Sequence, residues 1–341
     1  MIIEAKERIA SLLDGFVLLD ADILKKDNIV FILKSIGGSK GYLKDGIDLP
    51  TRLVYYNPEK NKKTYGVGGR EWKQGVKRGW VAFSRDENST IISCNNMALT
   101  YEISPNMEEA TSWERIPISV NAEKSMTKGI SGCKVIDNEV FMFGRFRKLY
   151  MRVGVQEWKD LSYENEHPEL HADLEQLKEE KKSLKAGFKA IDGFSNNDIY
   201  ACGDCGDCWN YDGNKWKRIN LPVNSDLTSI LCAGDGFVYI GLISGDIIKG
   251  RYNDSDEWKI LSGAGGGSNS LAWFQGTVYI GSDLGLYTIN EQSKIEQYKF
   301  PEIGFQQYSF RHVASCDEAL LSYGLNQALI YDGQDWEEIV V

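Results

Sequence analysis

The stretch DIYACGDCGDCWNYDGNKWKRI, Asp198 to Ile219, reads as three short strands. Asp198 to Cys202 alternates its side chains, Asp204 to Asp207 turns, Cys208 to Tyr211 alternates again, Asp212-Gly213-Asn214 turns, and Lys215 to Ile219 runs outward. Asp-Gly and Gly-Asp steps between alternating apolar runs are hairpin signals, because glycine supplies the positive φ that tight turns require. A meander of this size cannot bury both faces by itself, so the chain must supply neighbours of the same kind.

It does. A closing element, Trp followed by a charged residue, any residue and Ile or Leu, recurs at Trp113, Trp158, Trp216, Trp258 and Trp336, with degenerate versions at Tyr65 and Tyr298. Successive markers lie 48, 45, 58, 42, 40 and 38 residues apart. A period of roughly 40 to 50 residues with four strands per unit marks a propeller blade. The expected fold is all-β: a seven-bladed β-propeller over 14–341, with an N-terminal helix (1–13) packed on it and a helical insertion at about 162–187 between blades three and four. Strands a to d of blade one are placed at Phe16 to Asp20, Asn28 to Leu33, Leu53 to Tyr56 and Lys63 to Val67. Blade four, the reference unit, takes Phe188 to Asp192 as its a strand, and blade seven ends at Val340. The seam between blades one and seven is expected to close by side-chain packing.

The 49 Asp and Glu against 39 Lys and Arg leave a formal charge of −10. That argues against nucleic acid, whose phosphates need a basic surface, and favours a basic protein partner. Glu4, Lys6, Glu7 and Arg8 interrupt the N-terminus where a signal peptide would be apolar, and no stretch approaches a membrane span, so a cytoplasmic location without membrane contact is expected. Seven cysteines, an odd number scattered through strands, fit a reducing compartment.

Two long connections stand out, Lys34 to Thr51 within blade one and Ser162 to Gly187 between blades three and four. In an up-and-down meander, b-to-c and d-to-a connections emerge at the same end of the sheet, so both should decorate one side. From Pro168, Leu170, Leu174, Leu177 and Leu184 recur near helical spacing. Loops on a rigid scaffold are where binding usually resides.

Chemistry-bearing patterns are sparse. Cys202, Cys205 and Cys208 have the spacing CxxCxxC, a weak metal candidate without the second pair that zinc sites use. In the repeat register Cys202 is set opposite Ile240 and Ile280, as an ordinary strand residue. His167 and His171 are four apart, but Pro168 keeps His167 out of a helix, so both are read as solvated. His312 is placed facing a central channel. GAGGGSNS, Gly263 to Ser270, lacks the Lys of a phosphate loop and is read as a connection, as is Gly66 to Gly69. No triad can be assembled, and no cofactor is expected.

GFSNNDIYACGDCGDCWNYDGNKWKRI resembles the repeat of bacterial β-propellers of the WD40-like or kelch-like group, G-x-S-x-x-D-[VI]-[WY]-A-V-G-D-x-G-x-x-x-x-Y-D-G-x-x-W. The matching residues are Gly193, Ser195, Asp198, Ile199, Tyr200, Ala201, Gly203, Asp204, Gly206, Tyr211, Asp212, Gly213 and Trp216, and Tyr331, Asp332, Gly333 and Trp336 repeat the end. The resemblance implies the fold and leaves the activity open.

The expected function is therefore a non-enzymatic protein-binding propeller, specifically an acidic immunity protein that masks a bacterial toxin. Partner contacts are expected at Tyr42, Asp45, Phe146, Glu166, Asp204, Asp207, Trp209, Asp283 and Tyr308, with the aromatics as anchors. The alternative is a propeller that binds or cleaves a carbohydrate or other small ligand, using Asp204, Asp207, Asp246 and Asp283 in the b-to-c turns.

Overall fold

The computed structural model describes residues 2–36, 51–57, 67–72, 79–83, 91–95, 99–103, 114–115, 129–154, 157–174, 176, 186–252, 257–263, 265–300 and 309–340. Their strands form seven four-stranded antiparallel sheets, each a meander in sequence order. Strands a to d of the first are Phe16–Lys25, Asn28–Ser35, Thr51–Tyr56 and Val67–Trp72. Those of the fourth are Ala190–Ser195, Asp198–Cys202, Cys208–Tyr211 and Trp216–Arg218. The fifth runs from Leu227 to Leu261, the sixth from Ser268 to Gln297 and the last from His312 to Val340.

The chain divides into two compact units, Met1–Arg115 with Ala314–Val341, and Ile116–Val313. In the second unit, strict alternation assigns each side chain to one neighbour. Ile199 and Ala201 share a core with Ile136, Phe141 and Leu149 of the third sheet. Tyr200 and Cys202, one residue out of phase, face Leu227, Ile230 and Ile240 of the fifth. Leu231, Tyr239 and Ile247 on the far side of the fifth sheet pack against Leu271, Val278 and Ile280 of the sixth. A sheet buried on both faces reads as a continuous apolar run, which is why its b strands look so hydrophobic.

This packing corrects the register assumed for Cys202. Tyr200 and Tyr239 face onward in their respective sheets, so Cys202 corresponds to Gly241, two places beyond Tyr239, and not to Ile240. The site accepts only small residues: a Cβ on Gly241 would lie 2.4 Å from Ser268 Oγ.

In the first unit the same logic joins sequence ends. Phe31, Leu33, Val54 and Tyr56 pack against Leu321, Tyr323, Ala328 and Ile330 of the last sheet, and Ile9 of helix α1 (Ile2–Leu13) is fully buried among them. Polar clasps reinforce the contact: Tyr323 Oη donates to Asp20 Oδ1 at 2.9 Å, and Lys26 Nζ meets Asp332 at 2.7 Å. Clasps from a strand to neighbouring a strand recur elsewhere. Asp20 Oδ2 accepts from Val81 N, Asp192 Oδ2 from Cys232 N, and Ser270 Oγ from Val313 N.

The c-to-d turns explain the Tyr-Asp-Gly-x-x-Trp pattern. Asp212 Oδ1 accepts from the amides of Asn214 and Lys215, and Asp332 Oδ1 from those of Gln334 and Asp335. Gly213 and Gly333 take φ of 88° and 97°, which a side chain would resist. The closing tryptophan then lies against the tyrosine, Tyr331 and Trp336 stacked at 4.9 Å.

Two expectations need correction. The d strand of the first sheet is Val67–Trp72 instead of Lys63 to Val67, and Gly68 and Gly69 pair with Tyr55 and Val54 inside it, so Gly66 to Gly69 is no simple connection. The α-helix expected from Pro168 does not start there. His167 has φ −129°, ψ 60°, the proline opens only a three-residue 3₁₀ turn, Pro168–Leu170, hydrogen-bonded turns follow to Asp173, and α-helical backbone begins at Leu174 and includes Gln176. Residues 177–185, with Leu177 and Leu184, lie outside the described residues.

Candidate functional site

In the second unit the b-to-c turns and d-to-a connections meet along one edge, hydrogen-bonded turn to connection. Phe146 N donates to Ala186 O and Phe188 N to Gly144 O. Gly206 N donates to Ser225 O, and Ile243 N to Asp226 O. Glycine permits the close approach. At Gly203, the glycine of the Gly-Asp pair, an added Cβ would collide with Gly187 O.

The most extensively side-chain-bonded part of this edge is the strap after Leu161. Arg147, 1% exposed, occupies the turn between strands b and c of the third sheet. Its Nε and Nη2 donate to Asp207 at 2.8 and 2.9 Å, and its Nη1 and Nη2 to Asp173 at 2.6 and 3.0 Å. Nη1 also reaches Leu170 O. Trp209 Nε1 donates to Asp207 Oδ1 at 2.8 Å, and the guanidinium lies 4.9 Å from the Trp209 ring. Burial alone would pull the guanidinium down, but the Asp173 and Asp207 carboxylates outweigh it and hold it above its ordinary value; Arg147 in turn holds Asp173 below the usual carboxylate range. Leu170 and Leu174 are buried, and Trp216 closes the strap by donating from its amide to Glu169 Oε1 and from Nε1 to Leu161 O. The strap is thereby fixed in place before any partner arrives.

The expected contact residues divide accordingly. Asp207 and Trp209 are buried and committed to Arg147, so they are not surface anchors. The sequence marked them as exposed because a turn carboxylate and an aromatic look like a binding tip, while their partner lies 60 residues upstream. Phe146, half-buried at φ 59°, and Glu166 and Asp283, both exposed, lie on this edge. Asp204 is half-buried and ion-paired with Lys189, and Asp283 faces Arg311 at 3.4 Å. Asp246 accepts from Gly263 N and Ser244 Oγ. The four turn carboxylates of the carbohydrate alternative thus each serve local partners. Tyr42, Asp45 and Tyr308 lie outside the described residues.

Cys202 and Cys208 are cross-strand partners with no exposure, and burial pushes both thiols up, away from the thiolate that binds metal. Cys205 sits exposed on the turn between them, and among the described residues no group of three or more His, Cys, Asp or Glu is placed to hold a metal ion. His167 and His171 are not solvated as expected. His167 is buried edge-on to Tyr211 at 5.7 Å, and His171 Nε2 lies 2.9 Å from Ser162 O. His312 is half-buried, its imidazole pulled down to about 4 by burial. Arg147 is the residue the sequence reading missed. Of the two arginines in the turn FGRFRK, Arg145 is exposed and Arg147 buried, and nothing local in the sequence tells them apart.

No helix among the described residues is long and apolar enough to cross a membrane. No family model matches the chain. It is 31% identical over 210 residues to the "Immune protein Tsi7" of Pseudomonas aeruginosa, a match covering 61% of this chain. The chain spans 63% of the length of that relative. Among solved structures it is similar to YCF48 bound to D1 peptide (TM-score 0.61, 13% identity, 94% of this chain and 93% of that one). It is also similar to the β-propeller domain of Myceliophteria thermophila Cps50 (Swd1) (TM-score 0.58, 11% identity, 90% and 94%). A third is virginiamycin B lyase from Staphylococcus aureus (TM-score 0.58, 11% identity, 91% and 92%). At such identities the likeness carries the fold alone, and together with the four-stranded meanders it makes this chain a β-propeller.

Proposed function

We propose that this protein is a cytoplasmic immunity protein: a propeller, not an enzyme, that binds a basic bacterial toxin and neutralises it by covering its active surface. The observation that carries the reading is the 31% identity over 210 residues to an immune protein. The fold and the charge of −10 support it, as does an edge of turns and connections locked by the buried Arg147 network. A surface fixed before binding loses little entropy on association, which suits tight occlusion of a single partner. Within this reading the seven meanders are the blades of one propeller, with α1 packed upon it.

The test is co-expression with the product of the reading frame adjacent to this chain's gene. That product alone should arrest growth, and the chain should restore growth and co-purify with it at fixed stoichiometry. Persistent arrest, or rescue without a complex, contradicts occlusion.

A further inference from the structure

Only seven large apolar side chains are strongly exposed among the described residues, and two of them lie in neighbouring b-to-c turns on the edge just described. Ile243, 58% exposed, is in the b-to-c turn of the fifth sheet, and Leu284, 57% exposed, is in that of the sixth. Such turns are ordinarily polar, because nothing in the fold covers them. Neither residue belongs to a buried cluster.

Between them runs the connection that contains Gly263, Gly265, Gly266 and Gly267. A Cβ on Gly266 would lie 2.6 Å from Leu284 Cγ, and one on Gly245, in the Ile243 turn, 2.3 Å from Gly266 O. One on Gly267 would be 3.5 Å from Ile243 O. The two apolar tips therefore flank a floor of bare backbone, low because glycine lines it. The charge beside Ile243 is negative, whereas Asp283 beside Leu284 faces Arg311. Asp226 and Asp246 border Ile243, and among the described residues neither is paired with a lysine or arginine. Asp226 accepts from Cys205 N, and Asp246 from Gly263 N.

Resting on the toxin-occlusion reading, we propose that Ile243 and Leu284 are the apolar anchors of the interface, and that they grip a protruding apolar side chain of a basic partner over the glycine floor. Asp226 and Asp246 would meet lysine or arginine side chains flanking that protrusion. An apolar centre with a charged rim is how compact interfaces concentrate affinity and select a partner by charge.

Isothermal titration with the purified product of the adjacent reading frame tests this. Ile243→Asp with Leu284→Asp should raise Kd by about a hundredfold, and each single change by about tenfold, with the unfolding midpoint unmoved. Phe237→Asp, in an a-to-b turn at the other end of the fifth sheet, should bind as wild type. Affinity of the wild-type chain should fall as salt is added. A complex that tolerates the double substitution overturns this inference while leaving occlusion intact; no complex with the wild-type chain removes both.

Discussion

The turns around Arg147 and Asp207 and the turns around Ile243 and Leu284 share one backbone frame and use it in opposite ways. In the third and fourth sheets, charged groups are taken inside: a guanidinium with 1% exposure is shared by two carboxylates and a carbonyl, and no large apolar side chain is strongly exposed in either turn. In the fifth and sixth, aliphatic side chains are left outside and the carboxylates stay near solvent. Burying a charge is costly unless every donor is matched, so the first arrangement is justified by holding the strap. Exposing aliphatic tips contributes nothing to folding, and under the proposed function a partner covers them.

The comparison breaks most readily at Arg147. Arg147→Ala should cost about 3–5 kcal/mol, because it strands Asp207 in the interior, and calorimetry should show a lowered midpoint together with increased proteolysis within 162–174. Arg147→Lys should recover only part, since an ammonium cannot serve two carboxylates with a planar fork. Next in size is Trp336→Ala, which removes the stack on Tyr331 and should cost about 3 kcal/mol in urea unfolding. Aspartate at Ile243 or Leu284 should move stability by less than about 0.5 kcal/mol. If it destabilises as strongly as Arg147→Ala, the contrast between the two pairs of turns disappears.

How much was legible depends on how local each signal was. The meander from Asp198 to Ile219 was readable because its turns announce themselves: Asp212 caps the turn, Gly213 takes positive φ, and Trp216 closes on Tyr211 within a few residues. The d strand of the first sheet is set by pairing, which puts Trp72 opposite Thr51, and the degenerate closing element at Tyr65 gives the sequence no means of placing it. The strap could not be foreseen as a latch, because its determinant is one arginine whose carboxylates stand 26 and 60 residues away. Ile243 and Leu284 carry no signal of exposure in the sequence, since period-two alternation makes an aliphatic residue next to a strand look like core.

A smaller effect sharpens the account of the first unit. Burial pushes the Asp20 carboxyl up to about 7, against the hydrogen bonds from Val81 and Tyr323 and with the help of neighbouring Asp22. The folded value lies above the unfolded 3.8, so this group's stabilisation is complete below about pH 4 and is lost as pH rises through about 7. The unfolding free energy of the wild-type chain should therefore decline from pH 5 to pH 8 relative to that of Asp20→Asn. Parallel pH profiles for the two proteins contradict this assignment.

Hydrogen exchange of the complex with the adjacent gene's product tests the central claim most directly, because it reports which ends of the sheets are covered. The account predicts added protection at 203–207, 243–246, 265–267 and 283–285, with the turns at Gly213 and Gly333 unchanged. Protection centred on those two c-to-d turns, with the b-to-c turns exchanging as in the free chain, would contradict it.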